Sequence, residues 1–409
     1  MVGVGTALAL QAEGNDVILV DKSKPGSETS YGNAGAIQAE AIEPYPMPLD
    51  AATLLRIAVG ADNAVHYHLN ALPENLAPLF RYFRNSFPAR HKEISKDYAR
   101  LIGQSVPDHA KLIDASNSGH LISRKGLRQA YRTQKSMDKA ASHAAYMQRE
   151  YGLDVEIEDK AILRAAEPDL KQDLAGGVHW MDTWTVRDPG GLVKAYAALF
   201  AERGGMIVEG DAMTLSQTSS GWSVETADGQ QSAEHAVIAL GPWAAEILSR
   251  LGYKNPMFFK RGYHLHFAGP EGDNRPVPQV PTMDVANAVV ITATELGIRI
   301  CSGAEIARRG APPDPRQLFR GIEAAKDLFD LGPAVESEPW FGNRPCMPDM
   351  LPVVGKAPAH TNLWFNFGHG HHGFTLGPTT GSMLAEEMLS GLIKRPALAA
   401  EGRVRELGG

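Results

Sequence analysis

MVGVGTALALQAEGNDVILVD, residues 1–21, has the pattern of a helix that leads into a buried strand. Val4 to Ala12 are small and apolar at helical spacing, Gly14-Asn15 breaks the helix, and Val17-Ile18-Leu19-Val20 is a buried-type strand that ends in Asp21. In a dinucleotide-binding βαβ unit, a glycine-rich turn opens a helix. An acidic residue about 20 residues on, at the end of the second strand, takes a ribose hydroxyl. Gly3 stands where the third glycine of that turn belongs, the one that lets helix and strand pack closely. This reading expects a first strand and two earlier glycines upstream of Met1. The competing account is the apolar core of a signal peptide, with Ala7, Ala9 and Ala12 near a cleavage site. No basic residue precedes the apolar run, and a strand follows it directly, so the nucleotide unit is favoured.

Working outward, 409 residues suffice for one large two-lobed fold or two domains. There are 40 basic and 47 acidic residues, a formal charge of −7. This argues against a nucleic-acid partner held by a strongly basic surface. No uninterrupted apolar run reaches the roughly 18 residues of a membrane-spanning helix. Cys301 and Cys346 lack CxxC spacing, so they suggest a reducing compartment and offer neither a disulfide framework nor a cysteine-rich metal site.

Residues 22–48 are rich in Gly, Ser and Pro and read as loop. Residues 50–150 read as mostly helical. Around Leu79-Phe80-Arg81-Tyr82-Phe83-Arg84 an amphipathic helix packed on the body is expected, with a membrane-surface patch as the sharper alternative. Asp188-Pro189-Gly190-Gly191 caps a helix that runs to about Glu202, and Gly221 to Thr226 opens a hairpin that turns at Asp228-Gly229. His235 to Leu240 is a buried strand ending at Gly241-Pro242-Trp243. Residues 256–305 alternate as in an antiparallel sheet, and 315–331 read as a helix. Asn362 to Phe367 is a strand running into Gly368-His369-Gly370-His371-His372-Gly373, and the last helix is expected from near Thr380. The fold class is therefore α/β in a two-lobed α+β arrangement. A Rossmann-like nucleotide domain is assembled from residues 1–50, 155–250 and 336–409. It is interrupted by residues 51–154 and 251–335, which mainly build a substrate domain with an antiparallel sheet and helices.

Four segments carry a resemblance. They are the partial loop with Val17-Ile18-Leu19-Val20-Asp21; Glu28-Thr29-Ser30-Tyr31-Gly32-Asn33-Ala34-Gly35; Ala239-Leu240-Gly241-Pro242-Trp243-Ala244; and Trp340-Phe341-Gly342-Asn343-Arg344-Pro345 through Leu351-Pro352-Val353-Val354-Gly355 to Gly373-Phe374-Thr375. In this order they resemble the D-amino-acid oxidase / glycine oxidase / sarcosine oxidase family of flavoproteins, closest to its D-amino-acid dehydrogenase branch. The resemblance implies FAD as cofactor. It places Asp21 on the adenosine ribose, Lys22 at the adenine, and Ser30, Asn33, Ala34 and Gly35 beside the pyrophosphate and flavin ring. Met213 would touch the adenine edge through its backbone, and Gly241 and Trp243 would line the cleft. Gly370, Gly373 and Thr375 would approach the pyrimidine end of the flavin at a helix N-terminus. There backbone N–H groups stabilise the negative charge of a reduced ring near N1 and O2.

Arg344, stiffened by Pro345, presents a fixed guanidinium fork suited to a carboxylate, and the resemblance implies an amino-acid carboxylate on it. His369, His371 and His372 invite a metal. That reading is set aside because no carboxylate or cysteine partner stands at ligand spacing. His369 belongs to the family's pattern, while His371 and His372 are expected to shape the substrate pocket, with His372 the second candidate catalytic residue. Sarcosine oxidases attach flavin to a cysteine in a segment comparable to that of Cys346; a small buried thiol is the favoured reading here. Tyr263 and His264 fall on a strand of the substrate lobe, but the family's carboxylate-binding tyrosine finds no match in residues 284–298.

The resemblance implies hydride transfer from the α-carbon of a D-amino acid, with D-proline or a hydroxyproline considered, to flavin N5. The imine then hydrolyses to a 2-oxo acid and ammonia, and no side-chain base is assigned. Alternatives are a glycine- or sarcosine-type secondary amine oxidase using oxygen, and a truncated non-catalytic binding protein. The electron acceptor would be a quinone or the respiratory chain, or oxygen. The location would be cytoplasmic, with peripheral contact on the inner face of the cytoplasmic membrane as a further option.

Overall fold

The computed structural model describes residues 1–269, 276–308 and 310–390. The opening helix, Val2–Ala12, is followed by the strand Ile18–Asp21, which pairs in parallel with Met206–Glu209 so that Asp21 lies opposite Glu209. A second parallel pair joins Ala236–Ile238 to Leu363–Phe367, whose other edge is antiparallel to Val353–Lys356. The hairpin expected at Asp228-Gly229 is present, with Gly221–Thr226 antiparallel to Gly229–Ala233. Asp188 caps Pro189–Glu202 by accepting from the Gly191 N–H at 2.8 Å.

The helix Gly373–Ser390 packs along Val2–Ala12 almost backbone to backbone. A Cβ on Gly5 would lie 3.0 Å from the Gly377 carbonyl and Pro378 N, and one on Gly381 would lie 2.8 Å from the backbone of Gly5 and Thr6. Close approach therefore rests on Gly5, Gly377 and Gly381. The packing role expected of Gly3 is not seen, since a Cβ there would meet only Leu19 at an ordinary 3.6 Å.

The last described helix also starts at Gly373, seven residues ahead of the expected Thr380. Pro378 lies inside it and has no N–H for the carbonyl of Phe374. His109, from the long helix Pro88–Ala115, supplies the missing donor: its Nε2 lies 3.0 Å from Phe374 O and 3.1 Å from Thr375 O. Nδ1 of the same ring faces the Tyr196 hydroxyl at 3.0 Å.

Among the described residues, ten strands form the large sheet. Its central strand, Phe258–Phe267, is antiparallel to Gly297–Cys301 on one side and to Trp340–Cys346 on the other. The sheet continues through Val289–Thr294, Thr282–Asp284 and Leu127–Tyr131 to Gly176–Trp180 and Val155–Asp159. It thus draws strands from both sets of segments distinguished in the sequence.

Candidate cofactor and substrate site

A cavity of about 1770 Å³ runs from residues 1–4 and the edges of Ile18–Asp21 and Ala236–Ile238 to the junction of the Phe258 and Trp340 strands. At the first end, Val2–Ala12 has no side-chain cap. Its opening N–H groups, those of Val2, Gly3 and Val4, belong to residues of the cavity wall. Asp21 lines the same end. Its Oδ1 accepts from the Ser23 N–H at 3.1 Å, and burial raises its pKa against the pull of that bond. Lys22 holds its ammonium 4.0 Å above the Trp243 ring, which fixes two of the expected lining residues against each other. Met213 and Gly241 are also on the wall, and the Met213 N–H is taken by Asp211 Oδ1 at 2.9 Å.

The loop at 30–35 is built by its own side chains. Asn33 Oδ1 accepts from the N–H groups of Gly35 and Ala36 at 2.8 and 3.1 Å. Gly35 has φ +77°, and a side chain there would collide with the Val186 carbonyl. Arg299, buried in the large sheet, donates to the carbonyls of Tyr31 (3.0 Å) and Asn33 and to His266 Nε2 (2.8 Å). Ser30 Oγ accepts from the Met1 amino group at 3.0 Å, and Ser30, Asn33 and Ala34 all line the cavity.

Gly373 and Phe374, the first residues of the last described helix, line the middle of the site together with Gly370 (φ +59°). Two helix N-termini thus open onto one cavity, each offering backbone donors to an anion. Thr375 is buried off the wall. Its Oγ1 accepts from Gln38 N at 3.2 Å and ties the helix to the Ala36 segment. Gly35 likewise lies outside the lining.

At the far end Arg344 is half-buried, with Nη1 donating to the Gly303 carbonyl at 3.0 Å. Burial lowers its pKa, and among the described residues the acids that oppose this are the thiols of Cys346 and Cys301. A Cβ on Gly262 would strike its guanidinium, so glycine in the facing strand makes the room. Two wall residues escaped the sequence reading. Lys260 pairs with Arg344 across the strands, and only strand register could have disclosed it. Glu40 accepts from Gln38 Nε2 at 2.7 Å and from the Thr183 hydroxyl, and burial raises its pKa.

The placement of His372 does not fit the catalytic role expected of it. Its ring is buried off the wall, with Nδ1 hydrogen-bonded to the Tyr98 hydroxyl and no partner for Nε2 among the described residues. Burial drives its pKa down to about 3, so it stays neutral. His371 lines the cavity instead, 5.2 Å from the Tyr45 ring. Cys346 is also buried off the wall, packed with Tyr82 and Phe258, and burial pushes its thiol pKa up. It fills the core as a small buried thiol. Tyr263, expected in the substrate lobe, lines the cavity but spends its hydroxyl on Glu305 at 2.6 Å. Among the described residues His66, His68 and Asp314 have metal-ligand spacing, apart from the 369–372 turn.

An acidic strand end, two helix N-termini and a glycine-lined turn on one elongated cavity suit an anionic dinucleotide with a ring beside it. Over residues 1–387 the chain matches the family described as FAD dependent oxidoreductase, DAO. The chain belongs to this family. FAD is its cofactor, and Asp21, the Val2 and Gly373 helix starts and the 30–34 loop line the one cavity that would hold it. The chain is 28% identical to a D-amino-acid oxidase of Bradyrhizobium diazoefficiens, covering 97% of this chain and 94% of that one. It is 29% identical to a D-amino acid dehydrogenase of Cereibacter sphaeroides, covering 94% and 89%. Glycine oxidase from Geobacillus kaustophilus shares the fold at TM-score 0.70 and 21% identity over 94% and 91% of the two chains. Iminodiacetate oxidase from Chelativorans sp. BNC1 does so at TM-score 0.70 and 18% identity over 97% and 95%. No helix among the described residues is long and apolar enough to cross a membrane.

Proposed function

We propose that this FAD-dependent oxidoreductase oxidises the CH–NH bond of a D-amino acid, giving an imine that water converts to a 2-oxo acid and ammonia. The observation that carries the reading is Arg344, a half-buried guanidinium on the cavity wall with one N–H given to Gly303 and no carboxylate partner among the described residues. A guanidinium stays charged at any physiological pH and binds a carboxylate through two parallel bonds. Gly303 holds one end of the fork, and Gly262 leaves the space in which it turns to the cavity. When bound, FAD supplies the hydride acceptor. The chain's own share is to hold the substrate by its carboxylate and present the α-carbon at a fixed distance and angle. The names of the two D-amino-acid-oxidising relatives support the D configuration.

The test is anaerobic bleaching of the FAD-loaded enzyme by a panel of D- and L-amino acids, D-proline and hydroxy-D-proline, glycine and sarcosine. Bleaching by D-amino acids is expected. A flavin that responds to none of them, or only to L-isomers, glycine or sarcosine, ends the reading. Mixing the bleached enzyme with air or with a quinone then assigns the acceptor. Peripheral membrane contact is supported by Leu76 and Phe80, exposed one helical turn apart on Leu72–Asn85 beside exposed Arg81 and Arg84. Co-sedimentation with anionic vesicles tests it.

A further inference from the structure

Lys260 and Arg344 stand directly opposite each other on antiparallel strands, so both side chains leave the same face of the sheet, and both line the cavity. Lys260 Nζ donates to the Tyr82 hydroxyl at 3.2 Å, and Tyr82 in turn donates to the Tyr45 carbonyl at 2.6 Å. Burial pulls the Lys260 pKa down, Tyr82 and Cys346 push it up, and the net direction is upward, as for an ammonium that donates to the Tyr82 hydroxyl. Tyr82 and Cys346 raise the Lys260 pKa, Cys346 and Cys301 raise that of Arg344, Arg344 lowers that of Lys260, and no carboxylate among the described residues bonds to either cation. His371, close to both, is held neutral by burial, by its neighbour His372 and then by the two cations.

Like charges directly across a strand pair repel, and half-buried cations without counter-charges are costly. One substrate carboxylate satisfies Arg344 and leaves Lys260 uncompensated. We infer that the substrate is a dicarboxylate: an amino acid with a second carboxylate on its side chain or its nitrogen substituent, the α-carboxylate on Arg344 and the distal one on Lys260. Cβ atoms about 5 Å apart suit carboxylates separated by two or three carbons. This rests on the amino-acid reading above and names the substrate class within it.

The test uses non-oxidisable ligands on the FAD-loaded enzyme. Succinate and butyrate are titrated, with binding read from the perturbed flavin absorbance. The wild type is expected to bind succinate about 30-fold more tightly, the effect of one charge-assisted contact. Lys260→Met brings the ratio near one, and Lys260→Arg keeps a clear preference. A wild-type ratio near one, as when both cations grip a single carboxylate, overturns the inference, and so does a preference that survives Lys260→Met. Because these ligands do not react, the result is separate from the bleaching panel. Bleaching by D-alanine without a succinate preference sinks only the dicarboxylate assignment; a succinate preference without bleaching by any amino acid sinks only the reaction.

Discussion

Replacing Arg344 with methionine keeps the length and packing of the side chain and removes the fork. One guanidinium N–H is committed to Gly303, so the substrate carboxylate takes two of the remaining donors. Each charge-assisted bond is worth about 1.5–3 kcal/mol. A loss of about 4 kcal/mol corresponds to about 1000-fold in kcat/KM. The carboxylate is held alike in ground and transition states, so most of the loss belongs in substrate affinity, with a smaller share in the limiting rate from a looser α-carbon. Stopped-flow reduction of the flavin against substrate concentration separates the two, and the visible spectrum checks that FAD is still bound. Arg344→Lys retains charge without the planar fork and should recover only part of the loss. Gly262→Ala, whose methyl meets the guanidinium, should reproduce part of the defect with Arg344 intact. An Arg344→Met enzyme that holds FAD and is reduced within fivefold of wild-type efficiency would refute the assignment.

Gly381→Val forces methyl groups into the backbone of Gly5 and Thr6 and should destabilise the fold by about 1–3 kcal/mol; an unchanged urea midpoint counts against the packing argument. Asp21→Ala should weaken FAD binding by about tenfold, the value of one hydrogen bond to a charged acceptor, as read from FAD quenching on reconstitution. Acid should destabilise the protein. His109 is held neutral by burial, with its pKa at about 4, and His369 and His372 likewise at about 3, whereas in the unfolded chain each titrates near about 6.5. Between those values the unfolded state binds protons that the native state refuses, so stability falls as pH drops below about 6.5, by about 1.4 kcal/mol per unit for each ring. Urea midpoints at pH 6.5 and 5.5 should show it. His109→Gln, which keeps a donor for Phe374, should remove its own ring's share of the drop, about 1.4 kcal/mol per pH unit; a parallel pH profile would contradict this.

What could be read from the chain was local. The strand ending in Asp21 and the Asp228-Gly229 hairpin were legible because periodicity and turn chemistry lie within a few neighbouring residues. The start of the last described helix was not. Gly373, Gly377 and Pro378 look like breakers until His109, 265 residues from Phe374, supplies the donor that proline lacks. The order of the histidines at 369–372 was visible, but that His369 and His371 line the cavity and His372 does not depends on the turn at Gly370 and on Tyr98, far away in sequence. Arg344 could be named from its Pro-stiffened segment. Its neighbour Lys260 could not, because the pairing of two distant strands sets that contact.

Arg299 has a mechanical consequence. Its side chain belongs to the large sheet, yet two of its acceptors are carbonyls of the loop around Tyr31 and Asn33. Pulling that loop away would strand a buried guanidinium, at a cost of about 3–5 kcal/mol. The sheet that carries Arg344 and the loop at 30–35 therefore travel as one body. A fluctuation that widens the cavity at Arg344 also shifts its wall at residues 30–34, so a ligand taken up at one end is felt at the other.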